Sequence, residues 1–317
     1  MRALICGVAG QDGSYLAKFL LSKGYDVIGT SRDAMMTSFG NLHRLGIAEK
    51  VITTSMAITD FRSVLNAVEK YQPDEIYNLA GQTSVALSFE QPVEAMESIA
   101  VGTLNFLEVL RFVGRPIRFY NAGSSECFGD TGDIQANEET SFHPRSPYAT
   151  AKASAYWLLR NYREAYGLFA CTGILFNHES PLRPERFVTQ KIIRAATRIA
   201  NGSKERLELG NLDIYRDWGW APDCVEAMWL MLQQNIAEDY VIATGETHSL
   251  EQFVSKVFDY YSLDWRKFVD LNNQLERPAD IKYSRGSPIK AKEKMGWIAR
   301  KKLDEIINIM CVEANLK

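Results

Sequence analysis

Apolar residues fall first in short unbroken runs and then at helical spacing, and the two patterns alternate through the first half of the chain. Residues 3–8 (ALICGV) form one such run and read as a buried strand. Tyr15, Leu16, Phe19 and Leu20 then recur along one helix face, and Gly24 ends the helix. Residues 26–29 (DVIG) supply a second strand, closing a βαβ unit of about 30 residues. KVITTSM, DEIYNLAG, RFYNAGS and CTGILFN continue as strands. FRSVLNAVEKYQ, VEAMESIAVGTLNFLEVLRFV and SPYATAKASAYWLLRNYREAYG continue as helices. This alternation predicts an α/β fold of the Rossmann type, a doubly wound parallel sheet covered on both faces.

Past Asn177 the pattern loosens. NHESPLRPER reads as a loop, VTQKIIRAATRIANG as a helix closed by Gly202, and the remainder as several helices with few strands. The expected organisation is a dinucleotide-binding domain over 1–176 with a returning segment at about 214–237. Residues 177–213 and 238–317 would form a smaller, mainly helical substrate domain.

Composition narrows the function. In 317 residues, Lys+Arg 36 against Asp+Glu 39 gives a net charge of −3, so there is no basic field of the kind a nucleic acid needs. With 46% hydrophobic residues the chain can bury a large core. No apolar run approaches the roughly 18 residues that cross a bilayer, so no membrane partner is expected. The start, MRALICGVAGQDG, lacks a signal-peptide pattern, and Cys6, Cys127, Cys171, Cys224 and Cys311 are scattered without metal-ligand spacing. A reducing cytoplasm and a metal-free site are the expectation.

Gly7, Gly10 and Gly13 lie between the first strand and the first helix. Glycines there permit a tight turn, close approach to a pyrophosphate and close helix–strand packing, while the helix N-terminus faces the anion. The second strand ends Thr30-Ser31-Arg32, where NAD sites place a carboxylate. A guanidinium suits a 2′-phosphate, so Arg32, with Arg44 as a second candidate, points to NADP. Asp33 is the conflicting residue, since turned inward it would favour NAD.

Tyr148 and Lys152 stand at i, i+4 on a predicted helix, which puts phenol and ammonium on one face. An ammonium beside a phenol favours phenolate, a base for a sugar hydroxyl losing hydride. Ser124 follows a predicted parallel strand, where ligands gather, and its hydroxyl can bond the reacting oxygen. Glu126 separates reaction classes. A dehydrogenase or 4-epimerase needs only Ser, Tyr and Lys, whereas a dehydratase also needs a base for the proton beside the new ketone and an acid for the leaving hydroxyl. The bland alternative for Glu126 is a carboxylate favoured by a helix N-terminus.

These stretches, with EIYNLAGQTSV, SFEQP, ILFNHESP, FVTQKI, LGNLDIYRDWGWAPD and the late RPAD, resemble the extended short-chain dehydrogenase/reductases, and among them the GDP-mannose 4,6-dehydratase family, over essentially the whole chain. The resemblance implies a redox-neutral cycle in which NADP takes hydride from C4 of the mannose and returns it to C6 after water is lost. The product would be GDP-4-keto-6-deoxy-mannose. It adds Gln11, Asp12 and Leu79 to the cofactor site and Ser84 to the substrate site. It also implies that Asn177 holds substrate, Val188 and Lys191 contact the nucleotide, Arg216 meets the pyrophosphate, and Arg277 and Asp280 close over the GDP. A homodimer or homotetramer is expected. The chain departs from the family at Leu182-Arg183-Pro184, at Ala57, at Trp220 and over residues 34–41. A related GDP-sugar such as a GDP-heptose, or 4-epimerase or 4-ketoreductase chemistry, is therefore the alternative.

Overall fold

The computed structural model describes residues 1–275 and 279–316. Seven parallel strands form the large sheet: β1 (Arg2–Cys6), β2 (Asp26–Ser31), β3 (Ile52–Ser55), β4 (Glu75–Asn78), β5 (Arg118–Ala122), β6 (Ala170–Leu175) and β7 (Tyr240–Ile242), in the order β7-β6-β5-β4-β1-β2-β3. Successive side chains alternate between faces, and both faces are buried. Ala3, Ile5, Tyr77, Tyr120 and Cys171 pack with α1 (Gln11–Ser22) on one side. Leu4, Cys6, Ile28, Ile76 and Phe119 pack on the other with α2 (Phe61–Tyr71), α3 (Gly102–Val113) and Leu159 of α4 (Pro147–Tyr166). Burial on both faces is why these strands read as unbroken apolar runs.

The helix predicted over VEAMESIAVGTLNFLEVLRFV forms, with a π-helical segment at Glu97–Val101 just before α3. That widened turn sets Ile99 beside Tyr148, Ala151 and Ala155 of α4.

The second half adds α5 (Val188–Ala200), α6 (Ala221–Gln233), α7 (Leu250–Tyr260) and α8 (Leu303–Asn315). α5, α7 and α8 enclose a separate core around Ile192, Phe253, Phe258, Ile306 and Met310, against which Trp218 lies at 5.2 Å from the Phe253 ring. α6 instead returns to the large sheet and packs with α1 through Val225, Met228 and Leu232. The return does not stop near residue 237, because β7 lies beyond it and pairs with β6. Small sheets not expected from the sequence join Asn177–Glu179 to Trp218–Trp220, and Leu207–Leu209 to Val269–Leu271. Two- and three-residue strands are too short to show a period. Among the described residues no helix is long and apolar enough to cross a membrane. All five cysteines are free thiols and buried.

Candidate active site

Strand order reverses between β1 and β4, and a cleft of about 380 Å³ opens at the carboxyl ends of the strands there. Asp12, just past the glycine turn, and Leu79 and Ala80, which pack on Gly7, line it. Gly7 takes φ +81 directly after β1, and a Cβ there would meet the Leu79 carbonyl oxygen at 3.0 Å. A Cβ on Gly13 would stand 2.4 Å from the Gly7 oxygen, so α1 rests directly on the turn. Gly10 is the N-cap and supplies no side-chain oxygen, which leaves the positive end of α1 to an external anion. A dinucleotide diphosphate fits that cradle.

Gln11 and Asp12 fasten the turn to the 177–180 segment. Gln11 Nε2 donates to Asp12 Oδ1 at 3.0 Å and to the His178 carbonyl at 3.2 Å, and Ser180 Oγ donates to Gln11 Oε1 at 2.7 Å. His178 Nδ1 faces the Phe176 carbonyl at 2.7 Å and Nε2 faces Asp12 Oδ2 at 2.9 Å. Two oxygen acceptors require two N–H donors, so the ring is an imidazolium paired with a carboxylate. Burial works against both charges, yet their mutual attraction lowers the Asp12 pKa and raises that of His178. His178 thus braces Asp12 against the Phe176 carbonyl by hydrogen bonds.

At the far end of β2, Arg32 is exposed, and Asp33 turns back on its own loop, accepting from the Met35 and Met36 amides at 3.0 and 3.1 Å. Arg44 is engaged elsewhere. It donates to the Pro181 carbonyl at 2.8 Å and pairs with Glu313 of α8 at 2.8 Å.

Ser124, Glu126, Tyr148 and Lys152 all line the cleft. Ser124 caps a short 3₁₀ turn, its Oγ accepting from the Glu126 amide at 3.3 Å, so the turn fixes the spacing of hydroxyl and carboxylate. Ser146 caps α4 by accepting from the Ala149 amide at 3.1 Å, and Pro147 begins the helix. Tyr148 and Lys152 then face inward, one turn apart. Lys152 Nζ donates to the Ala122 carbonyl at 2.7 Å, and burial pulls its pKa down to about 8. The expected lowering of the tyrosine pKa is not what the structure shows. Burial pushes the Tyr148 phenol up, and its hydrogen bond with Ser124 offsets this only in part. The cause is its apolar packing beside Ile99 and Ala155, with the Lys152 ammonium 5.8 Å from the ring and turned to Ala122.

Of the other expected residues, Leu79, Ser84, Asn177, Val188 and Lys191 line the same cleft. Lys191 Nζ donates to the Glu208 carbonyl at 2.7 Å. Arg216 and Asp280 pair at 3.3 Å; Asp280 lines a small pocket together with Val85 and Glu126, which also line the cleft, and Arg216 is only 5% exposed. Arg277 lies outside the described residues. The cleft wall also carries Arg183 and Arg186, which the sequence reading did not assign to the site. Their signal was the pair of cations in the proline-bounded SPLRPERF stretch.

The family profile described as GDP-mannose 4,6 dehydratase matches residues 4–310. The chain belongs to that family. It is 46% identical over 321 residues to GDP-mannose 4,6 dehydratase 2 of Arabidopsis thaliana, covering 98% of this chain and 86% of that one. It is 41% identical over 333 residues to the human GDP-mannose 4,6 dehydratase, covering 97% and 90%. Among solved structures, the UDP-glucose 4-epimerase of Thermus thermophilus in complex with NAD matches with a TM-score of 0.86 at 26% identity over 99% of both chains. The GDP-mannose 4,6 dehydratase family is a branch of the nicotinamide-dependent short-chain dehydrogenase/reductases, and the cradle at Gly7–Gly13 agrees with that.

Proposed function

We propose that this chain converts GDP-mannose to GDP-4-keto-6-deoxy-mannose with loss of water, using NADP held on the glycine turn. The observation that carries the reading is the meeting of Ser124, Glu126, Tyr148 and Lys152 on one cleft at the carboxyl end of the sheet. When bound, the dinucleotide accepts the C4 hydride and gives it back to C6, so the overall reaction is a dehydration with no net oxidation. Tyr148 takes the O4 proton as phenolate, a form that the charges of Lys152 and of a bound oxidised nicotinamide would favour against its burial, while the Ser124 hydroxyl holds O4. Lys152, fixed on the Ala122 carbonyl, sets a positive charge beneath the reacting groups. The C4 ketone acidifies C5–H. The Glu126 carboxylate removes that proton and delivers it to the C6 hydroxyl, which departs as water, leaving Glu126 again ionised. The proton that Tyr148 took from O4, exchanged with solvent, balances the one returned to C5 as the hydride reaches C6, leaving Tyr148 again ionised.

NADP is favoured over NAD by two features at the end of β2. Arg32 is exposed there, and the Asp33 carboxylate is occupied by its own loop amides. A homodimer or homotetramer in the cytoplasm is part of the same proposal. The test is incubation of purified protein with GDP-mannose and no added cofactor. The product should be lighter by one water, with no net reduced nicotinamide. Glu126→Gln should lower turnover by roughly 10²–10⁴-fold. Full activity in that variant contradicts the assignment and leaves epimerase or ketoreductase chemistry.

A further inference from the structure

The described ionisable residues lining the cleft do not balance. Lys152, Arg183, Arg186 and Lys191 stand against Asp12 and Glu126, and Asp12 is already matched by His178. Arg183 is matched by Glu179 at 3.4 Å. Arg186 has no carboxylate among the described residues. Its Nη2 donates to the neutral Thr83 hydroxyl at 3.0 Å across the cleft, and its guanidinium lies 5.3 Å from the Phe187 ring. Its neighbour Glu185 is directed to Arg194 instead. Phe187 N-caps α5, and Lys191 begins the next turn with its ammonium on a backbone carbonyl. Arg186 and Lys191 are thus two cations on one cleft wall, each held only by a neutral acceptor.

From this geometry we propose that Arg186 recognises the diphosphate of the sugar nucleotide, exchanging the Thr83 hydroxyl for a phosphate oxygen as the substrate enters. This rests on the functional reading above and adds a residue to it. A planar guanidinium matches phosphate oxygens in pairs, and a charge-assisted bond is roughly twice as strong as the neutral one it replaces. The exchange is therefore downhill for a diphosphate and has no counterpart for an uncharged sugar. The cofactor diphosphate is the other source of the same chemistry. Arg186 stands beside Val188 and Lys191, which line the same cleft, and the dinucleotide content of each variant separates the two sources.

The test is calorimetric titration of the cofactor-loaded protein with GDP and with GMP, on Arg186→Gln, Arg186→Lys and Thr83→Val, together with the dinucleotide content of each variant. Arg186→Gln should weaken GDP by about tenfold or more while changing GMP by less than about threefold. Arg186→Lys should recover part of the loss, and Thr83→Val should leave GDP within about threefold, since it removes only the exchanged bond. In turnover, Arg186→Gln should raise KM for GDP-mannose far more than it lowers kcat. Unchanged GDP affinity in Arg186→Gln overturns the proposal. So does an equal loss in Thr83→Val, which would make the contact a structural brace, and so does loss of bound dinucleotide in place of GDP. Because GDP binding is read apart from turnover, a protein that shows this GDP/GMP pattern but dehydrates no GDP-mannose refutes the functional reading alone.

Discussion

Gly13→Ala is the most exacting perturbation of the cofactor cradle. The added methyl would lie 2.4 Å from the Gly7 carbonyl oxygen and 2.7 Å from Val8 Cα. Both are backbone atoms at the end of β1, so no side chain can swing away. Restoring ordinary contact requires α1 to withdraw from the turn by roughly 0.6–1 Å. Overpacking of this kind costs about 1–3 kcal/mol, and the rigidity on both sides places this case near the top of that range. The gain in helix propensity returns at most about 1 kcal/mol. A net loss of about 2 kcal/mol corresponds to a fall in Tm of roughly 3 °C for a chain of this size. The same shift draws the α1 amides away from the diphosphate, so retained dinucleotide should fall by about tenfold or more. Thermal melting and the nucleotide released on denaturation read both effects. Gly40→Ala is the control, since its nearest contact would be the Ser38 hydroxyl at 3.8 Å. A Gly13→Ala protein with wild-type Tm and full dinucleotide would refute the packing argument.

Further outcomes follow from other contacts. Asp239 takes both ends of the Arg163 guanidinium at 3.0 and 2.6 Å and also accepts from the Thr172 amide at 2.7 Å, joining α4 to the edge of the sheet. Asp239→Ala strands a largely buried guanidinium and should cost about 3–5 kcal/mol in denaturant unfolding while sparing the cleft residues. The His178 pKa is raised, so the stability it contributes is present at low pH and disappears as pH climbs through that raised value. The Asp12 pKa is lowered, so its contribution disappears as pH falls through that lowered value. A Tm-against-pH curve should therefore lose stability on both sides, and His178→Asn should flatten both limbs. With Lys152 near 8, kcat should decline as pH rises through that value and the ammonium is lost. Lys152→Met should be inactive yet more stable than wild type at neutral pH, because it removes a buried charge.

The large sheet was legible because burial on both faces leaves an apolar run wherever a strand passes, as in residues 3–8 and CTGILFN. The π-helical turn at Glu97–Val101 was not, since its period differs from its neighbours by too little over five residues. β7 escaped because three apolar residues carry no period, although Tyr240–Ile242 decides where the return to the sheet ends. At the site, local spacing singled out Ser124, Glu126, Tyr148 and Lys152, and all four line one cleft. What spacing cannot carry is competition for a charged group. Arg44 pairs with a carboxylate from α8, far away along the chain. The Tyr148 pKa likewise depends on how apolar its surroundings are, which only the packed structure reveals.

The central claim is that one hydride leaves C4 and comes back at C6 of the same sugar while Glu126 removes the C5 proton. GDP-mannose deuterated at C4, incubated with the purified protein in ordinary water, tests this directly by NMR of the product. The account predicts deuterium at C6 and no label in free dinucleotide. Deuterium retained at C4 of an unchanged or epimerised sugar, or found in released reduced dinucleotide, would contradict it.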